Sequence, residues 1–475
     1  MAATGPIGSA ERDLLLARVR LPVAVAVSGG ADSTALMHLV AGWAAIQGRL
    51  EGLPDGVAPI LVITVDHGLR PEAAAEAAWV AGEARRLGLA HVTLRWRGQK
   101  PRTAIQETAR AARYALICEH IGREPLPKPR QVLLAHHQDD QAETVLMRLA
   151  RGSGVDGLSG MREVEVRTWV HLKHPVEERL IAFVRPLLSV PKARLEATLQ
   201  AIGAGWLRDP SNADQRYERV RLRAAVRERE ALGLTAEMLG LTAERIGSAR
   251  AALERAHQEL ARTAVDLHDG AWASIDRQML QRAPQEIALR LLQATIGAFG
   301  GQREPPSRLQ MERLLERILA RTTTAFTLGG AVVEDIKSSK RRERPILAIY
   351  REPGRRPLPK ATLWPGHGLF WDRRFYISLS PGYEHPVRVE ALGQTGFARL
   401  KRAHRSLREL GIPAAAAAAL PAIWAGDRLL VVPCLSAGEP GLLGPVAEDG
   451  EPMVGASFAP QHIRTVLGRF GEDDI

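Results

Sequence analysis

The stretch Val23-Ala-Val-Ala-Val-Ser28-Gly-Gly-Ala-Asp-Ser33, followed by Thr34-Ala-Leu-Met37, decides how the chain is read. An apolar run rich in β-branched residues stops at Ser28. Two glycines follow, and Asp32 and Ser33 open a segment of good helix formers. The pattern predicts a buried strand, a tight glycine turn and a helix N-terminus. Such a junction aims backbone N–H groups and the positive end of a helix dipole at one point, which suits a phosphate. It also fits a plain turn between a core strand and a helix. A Walker A loop is excluded, because no G-x-x-x-x-G-K-S/T run occurs.

Working outward, strands and helices alternate through the N-terminal third. Ile60–Val65, His91–Trp96, Val132–Ala135 and Leu180–Val184 read as strands. Helices are expected from Ala35 to Ala45, Ala73 to Leu87, Thr103 to His120, after Asp140, and from Lys192 to Ile202; Thr103 and Gln106 bracket a capping box. This alternation predicts a doubly wound parallel α/β sheet, whose ligands bind at the carboxyl ends of its strands. Three polar clusters follow predicted strands: Ser28–Ser33, Asp66–Arg70 and His136–Asp140. The topology is expected to gather them on one edge.

Each cluster has its chemistry. Gly29 and Gly30 let phosphate oxygens approach the backbone, and Ser28 and Ser33 add hydroxyls. Asp32 would repel a phosphate unless a cation such as Mg²⁺ lies between them; it also fits a helix cap. Asp139, Asp140 and Glu143 are spaced three and four apart, so a helix crowds their charges unless they serve Mg²⁺ or a substrate ammonium. His136 and His137 raise the question of zinc, but no H-E-x-x-H run and no cysteine ligand supports it. Arg110 and Arg113 share a helix face and fit either a triphosphate, an RNA backbone or a solvated surface.

The 475 residues allow for about three domains. A net charge of +11 favours a polyanionic partner such as nucleic acid. Cys118 and Cys434 stand far apart without any C-x-x-C, which excludes a zinc ribbon, a dithiol couple or a cysteine-bound iron–sulfur cluster. Residues 1–20 lack the apolar core of a signal peptide, and no run is long and apolar enough to span a bilayer. The expectation is a cytoplasmic protein without a membrane partner.

Taken together, these residues closely resemble the tRNA(Ile)-lysidine synthetases, a family of PP-loop ATP pyrophosphatases. Ser28–Ser33 resembles the PP-loop. Val65-Asp-His-Gly-Leu-Arg70 is similar to the family's D-H-G-L-R segment, and Glu107-Thr-Ala-Arg-Ala-Ala-Arg-Tyr114 to its A-R-x-x-R-Y helix. Ala135-His-His-Gln-Asp-Asp-Gln-Ala-Glu-Thr144, Arg151-Gly-Ser-Gly154, Arg185-Pro-Leu-Leu188 and Asp209-Pro-Ser-Asn212 follow in the family's order. The resemblance covers about residues 22–223. Arg219 and Arg223 match, but Val220 stands where the family carries Asn, and no role is read for that position.

The resemblance implies an ATP-dependent ligase acting with Mg²⁺. ATP would adenylate the C2 oxygen of the wobble cytidine in an isoleucine tRNA with anticodon CAU, and free L-lysine would displace AMP. It implies ATP contacts at Ser28, Gly29, Gly30, Ala31, Asp32, Ser33, Asp66 and His67. Asp32, His136, His137, Asp140 and Glu143 would be catalytic, with Asp32 on the metal and Asp140 and Glu143 holding lysine. Arg70, Arg110, Arg113, Arg219 and Arg223 would contact tRNA. A homodimer fits the family but follows from no residue here. The rivals are another PP-loop tRNA-modifying enzyme, a thiolase or an amidase, and a non-catalytic RNA-binding relative. The cysteines are badly placed for the first pair.

The expected organisation is a PP-loop domain (1–223), a mostly helical central domain with a small β element (224–352), a linker (353–360) and a small α+β C-terminal domain (361–475). In the centre, residues 224–267 read as helical, Met279–Phe299 and Arg308–Leu319 as amphipathic helices, and Thr324–Ile336 as a hairpin followed by a strand at Ile346–Tyr350. Ile412-Pro413, Pro421, Gly426-Asp427 and Val432-Pro433 resemble the RNA-binding module of longer family members. The run Ala414–Ala419 lacks the polar residues usual there.

Overall fold

A computed structural model describes residues 5–46, 58–98, 100–101, 105–123, 129–170, 178–208, 226–268, 271–302, 304–320, 325–336, 345–354, 357–432, 435 and 454–458. Two compact units divide the chain. One comprises residues 1–170 and 178–251, the other 171–177 and 252–474.

The first unit is built on a six-stranded sheet. Its strands are β1 (Val23–Ala26), β2 (Ile60–Asp66), β3 (Ala90–Arg95), β4 (Gln131–Leu133), β5 (Val164–Val170) and β6 (Glu178–Val184), in the order β3-β2-β1-β4-β6-β5. β3, β2, β1, β4 and β6 run parallel. β5 pairs antiparallel with β6. The sequence reading overlooked β5, where Glu165 and Arg167 interrupt an otherwise β-prone run; it is an antiparallel edge on a parallel sheet, a common arrangement.

The alternation along β1 explains why the sheet is covered on both faces. Val23 and Val25 join a core with Leu36, Met37 and Val40 of α2 (Ala31–Ala44), Val80 of α3 (Ala73–Arg86) and Leu195 and Leu199 of α7 (Lys192–Ala201). Ala24 faces the other way, toward Tyr114, Ile117 and Ile121 of α4 (Ile105–Arg123) and Phe183. All of these side chains are buried. Each large one contributes about 1.5–3 kcal/mol of burial.

The chain leaves β1 to build β2 and β3 on one side, then returns to place β4 and β6 on the other. Strand order therefore reverses between β1 and β4, and their carboxyl ends open a crevice there. The turn after β1 leads into α2, and the turn after β4 leads into α5 (Gln138–Ala150). The helix Ala236–Ala264 packs its first half, through Leu239 and Ala243, on Ala142 and Val145 of α5.

Among the described residues, the second unit carries three antiparallel sheets. β7 (Val265–His268), β8 (Trp272–Asp276), β9 (Ala325–Leu328), β10 (Ala331–Ile336) and β11 (Ile346–Arg351) form a sheet in the order β7-β8-β11-β10-β9. Two findings correct the sequence reading. The stretch expected as helical from 224 to 267 is two helices, Val226–Ala231 and Ala236–Ala264, and Val265–His268 becomes strand by pairing with β8. The expected helix Met279–Phe299 is two, Arg277–Arg282 and Gln285–Gly300, because Ala283 turns extended before Pro284. The remaining strands form two small sheets, β12-β15-β16-β17 and β13-β14-β18, from Ala361–Leu363, Gly368–Trp371, Phe375–Leu379, Val387–Ala391, Pro421–Ala425, Arg428–Val431 and Val454–Phe458. The alanine run belongs to their core: Ala416 to Ala419 are buried, so their lack of polar atoms has a packing reason. Among the described residues, no helix is long and apolar enough to cross a membrane.

Candidate active site

The glycine junction takes the shape its sequence demands. Gly29 has φ +92°, which side chains with a Cβ rarely adopt. Gly30 is the N-cap of α2 with ordinary dihedrals. A Cβ there would meet only the Ser28 hydroxyl at 3.9 Å, so the protein's own packing does not require glycine at that position. The bare backbone leaves room for a ligand. Ser33 braces the turn: its hydroxyl accepts from Ser28 N–H at 3.2 Å, lies 3.2 Å from the Ser28 hydroxyl and donates to Gly30 C=O at 3.1 Å. Thr34 donates to Gly29 C=O at 3.2 Å. Ala31 packs into the core beneath.

α5 begins opposite. His137 is its N-cap and forms a capping box, with Asp140 Oδ2 accepting the His137 N–H at 3.2 Å. The His137 ring is almost wholly buried among carboxylates. Nε2 lies 3.5 Å from Asp32 Oδ2 and 3.4 Å from Asp140 Oδ2, while Nδ1 lies 3.5 Å from Asp139 Oδ2. These are ion-pair separations. Burial works against a charged ring, but the carboxylates of Asp139, Asp32 and Asp140 outweigh it and push its pKa up to about 10. His137 in turn, with the N–H of Lys192, holds Asp139 down at about 2 despite burial. Asp32 of the glycine junction and the acids of α5 are thus joined through one imidazolium.

Lys192 completes this cluster, and the sequence reading missed it. Its N–H donates to Asp139 Oδ2 at 3.0 Å and its ammonium lies 3.7 Å from Asp32 Oδ2. A signal was there: α7 carries a lysine at its first position, where the helix dipole disfavours a cation, and no acid in its first turn. The α5 N-terminus is tied to the same turn by Gln138 N–H donating to Val190 C=O at 3.0 Å. Glu143 is buried one turn into α5, and His136 is half-buried just before the cap.

At the end of β2, Asp66 accepts from Gly68 N–H at 2.8 Å and lies 3.8 Å from Arg95. His67 stands edge-on to Trp96, ring centroids 6.0 Å apart. Burial first, then the charges of Arg113 and Lys100, lower its pKa to about 4 against the pull of Asp66. Lys100 lies 4.0 Å over the Trp96 ring and donates to Trp96 C=O. Arg70 is occupied by Glu76 at 3.2 Å. Arg110 donates to the Tyr114 hydroxyl at 3.2 Å, and half-buried Arg113 has its pKa lowered by burial and by Arg110. Arg219, Arg223 and the predicted cap residue Thr103 lie outside the described residues. Among the described residues no group of three or more His, Cys, Asp or Glu has metal-holding geometry.

The chemistry of this arrangement is that of a nucleotide crevice beside an acidic, cation-balanced pocket. Comparison with known proteins agrees. The PP-loop domain profile matches residues 12–230. A tRNA(Ile)-lysidine synthase from Methylobacterium nodulans is 44% identical over 70% of this chain and 91% of that relative. The chain belongs to the tRNA(Ile)-lysidine synthase family. Another member, from Ruegeria pomeroyi, is 35% identical over 86% of this chain and 87% of its own length. A third, from Methylobacterium sp. strain 4-46, is 42% identical over 71% and 91%. The family similarity thus runs well past the PP-loop domain. Membership makes the chain a PP-loop ATP-using ligase that acts on tRNA, as the resemblance of its ordered motifs implied.

Proposed function

We propose that the protein joins L-lysine to C2 of the wobble cytidine in isoleucine tRNA with anticodon CAU, at the expense of ATP, in the cytoplasm. The observation that supports this most is the His137 bridge, which joins Asp32 of the glycine junction to the acids of α5 within 3.5 Å. Two half-reactions that share one carbon need such adjacency.

In the first, the cytidine C2 oxygen attacks the α-phosphorus of ATP, and the Pα–O bond to pyrophosphate breaks. Gly29, Gly30 and Ala31 offer backbone N–H groups to the phosphates, with Ser28 and Ser33 beside them. Asp66 and His67, at the next strand end, contact the nucleoside. The hard oxygens of Asp32 suit Mg²⁺, which when bound would offset the charge of the departing pyrophosphate. In the second, the lysine side-chain amine attacks C2, the C2–O bond breaks and AMP leaves with the electron pair. Asp140 and Glu143 hold the lysine ammonium. His137 faces carboxylates through both ring nitrogens, so its work is to hold them together; the neighbouring His136 is then the better placed of the two to take up a proton. Arg70, Arg110, Arg113, Arg219 and Arg223 contact tRNA, aided by the central (224–352) and C-terminal (361–475) regions.

The test is incorporation of radiolabelled L-lysine into an unmodified isoleucine CAU transcript, with and without ATP. ATP-dependent incorporation is expected; none from well-folded protein would sink the reading. Asp32→Ala should abolish pyrophosphate release while tRNA affinity survives. Loss of tRNA binding instead would make Asp32 structural.

A further inference from the structure

The A-R-x-x-R-Y motif of α4 ends in a residue to which no role has been given. Tyr114 is buried, and its ring is held on several sides. The Arg167 guanidinium lies 3.8 Å over one face, and Phe183 meets it edge-on with centroids 4.6 Å apart. Its hydroxyl accepts from Arg185 Nη2 at 3.1 Å and from Arg110 Nη2 at 3.2 Å. A phenol oxygen has two lone pairs, and two guanidinium groups use them.

The charges around this hydroxyl do not balance. Arg185 is fully buried and is neutralised by Glu165 Oε2 at 2.7 Å, with a further bond to Arg162 C=O at 2.8 Å. Arg167 shares the same carboxylate at 2.8 Å. Arg110 has no carboxylate partner among the described residues, and neither does Arg113 one turn on. Proteins usually hold an arginine with an acid, which fixes its geometry and cancels its charge. Here a neutral hydroxyl, itself anchored by an already paired arginine, fixes the geometry and leaves the charge intact.

We propose that Tyr114 is a positioning residue that aims Arg110, with its charge unspent, at a backbone phosphate of the tRNA substrate. This rests on the tRNA reading above. Tyr114 touches no substrate; it acts through Arg110. The alternative is that the network only fastens α4 to β5 and β6.

The experiment uses the full chain and the isoleucine CAU transcript, comparing wild type, Tyr114→Phe, Arg110→Gln and the double variant. Direct tRNA affinity by fluorescence anisotropy is measured beside the KM values for tRNA, ATP and lysine. Losing a hydrogen bond to a charged group should weaken tRNA binding about tenfold in Tyr114→Phe. The KM values for ATP and lysine should stay as they are. The double variant should bind no worse than Arg110→Gln alone, because Tyr114 works only through that side chain. Multiplying losses, a uniform change in every parameter tracking a lower melting temperature, or unchanged tRNA affinity would each overturn the proposal. If Tyr114→Phe proves too unstable, Arg110→Gln carries the test alone: it must lower the slope of log affinity against log salt by about one, and an unchanged slope refutes it. Because affinity is read without turnover, failure here is distinct from failure of lysine incorporation by the wild type.

Discussion

At the scale of single residues, a few side chains and one glycine of the site are held away from their ordinary states. His67 is the clearest titrating case. Its folded pKa of about 4 lies below the ordinary 6.5. Between those values the unfolded chain binds a proton that the folded chain refuses. Its contribution is therefore complete above about pH 6.5 and is lost as pH falls toward 4. His67→Gln should flatten the acid side of a plot of melting temperature against pH, and the wild-type His67 ring should titrate near pH 4 by NMR. A midpoint near 6.5 would contradict the burial described. Gly29 is the backbone counterpart. Alanine there must adopt φ +92° and would bring its Cβ to 2.7 Å from a Leu207 methyl. Gly29→Ala should cost about 1–3 kcal/mol, read from the urea midpoint at constant slope. The ion-pair cluster around His137 was hidden in the sequence, where Asp32, His137 and Lys192 stand far apart and only the β1–β4 neighbourhood unites them.

At the scale of elements, helix ends carry much of the specification. Asp276 caps the helix Arg277–Arg282, accepting from Gln278 N–H at 2.8 Å and Met279 N–H at 3.0 Å. Asp276→Ala should cost about 1 kcal/mol, measured by chemical denaturation, with Asp276→Asn recovering most of it. The same end effects explain what could be read in advance. Val23–Val27 announced itself by β-branched residues closed off by glycines, and Arg308–Ala320 by its stripe Leu314, Leu315 and Ile318. Two glycines marked the β9–β10 hairpin. β5 alternates Val164 and Val166 with Glu165 and Arg167 and so carries a short strand signal, but it is an edge strand that leaves Val166 exposed, without the continuous apolar run of the central strands. Val265–His268 became strand through its pairing with β8, a tertiary choice that local propensity does not contain. The acids of α5 were legible as a cluster, whereas Lys192 was marked only by its place at a helix start, since its partners lie across the crevice.

At the scale of the molecule, a net charge of +11 sets how the protein meets a polyanion. Affinity for tRNA should fall steeply between about 50 and 200 mM salt, by orders of magnitude if six or more phosphates are contacted. On the proposed function, the KM for lysine should move far less over that range. A parallel response of the two would mean that tRNA is held by other than charge. The order of the central sheet has one more consequence, for the chain as it is made. β1 emerges early, yet its neighbour β4 and the α7 lysine come from much later sequence, and each pairing must first close a long loop. A nascent chain that stops at β3 holds the glycine turn without the wall that faces it. The cluster that joins Asp32 to His137 and Lys192 is therefore completed only after α7 has been made, late in translation.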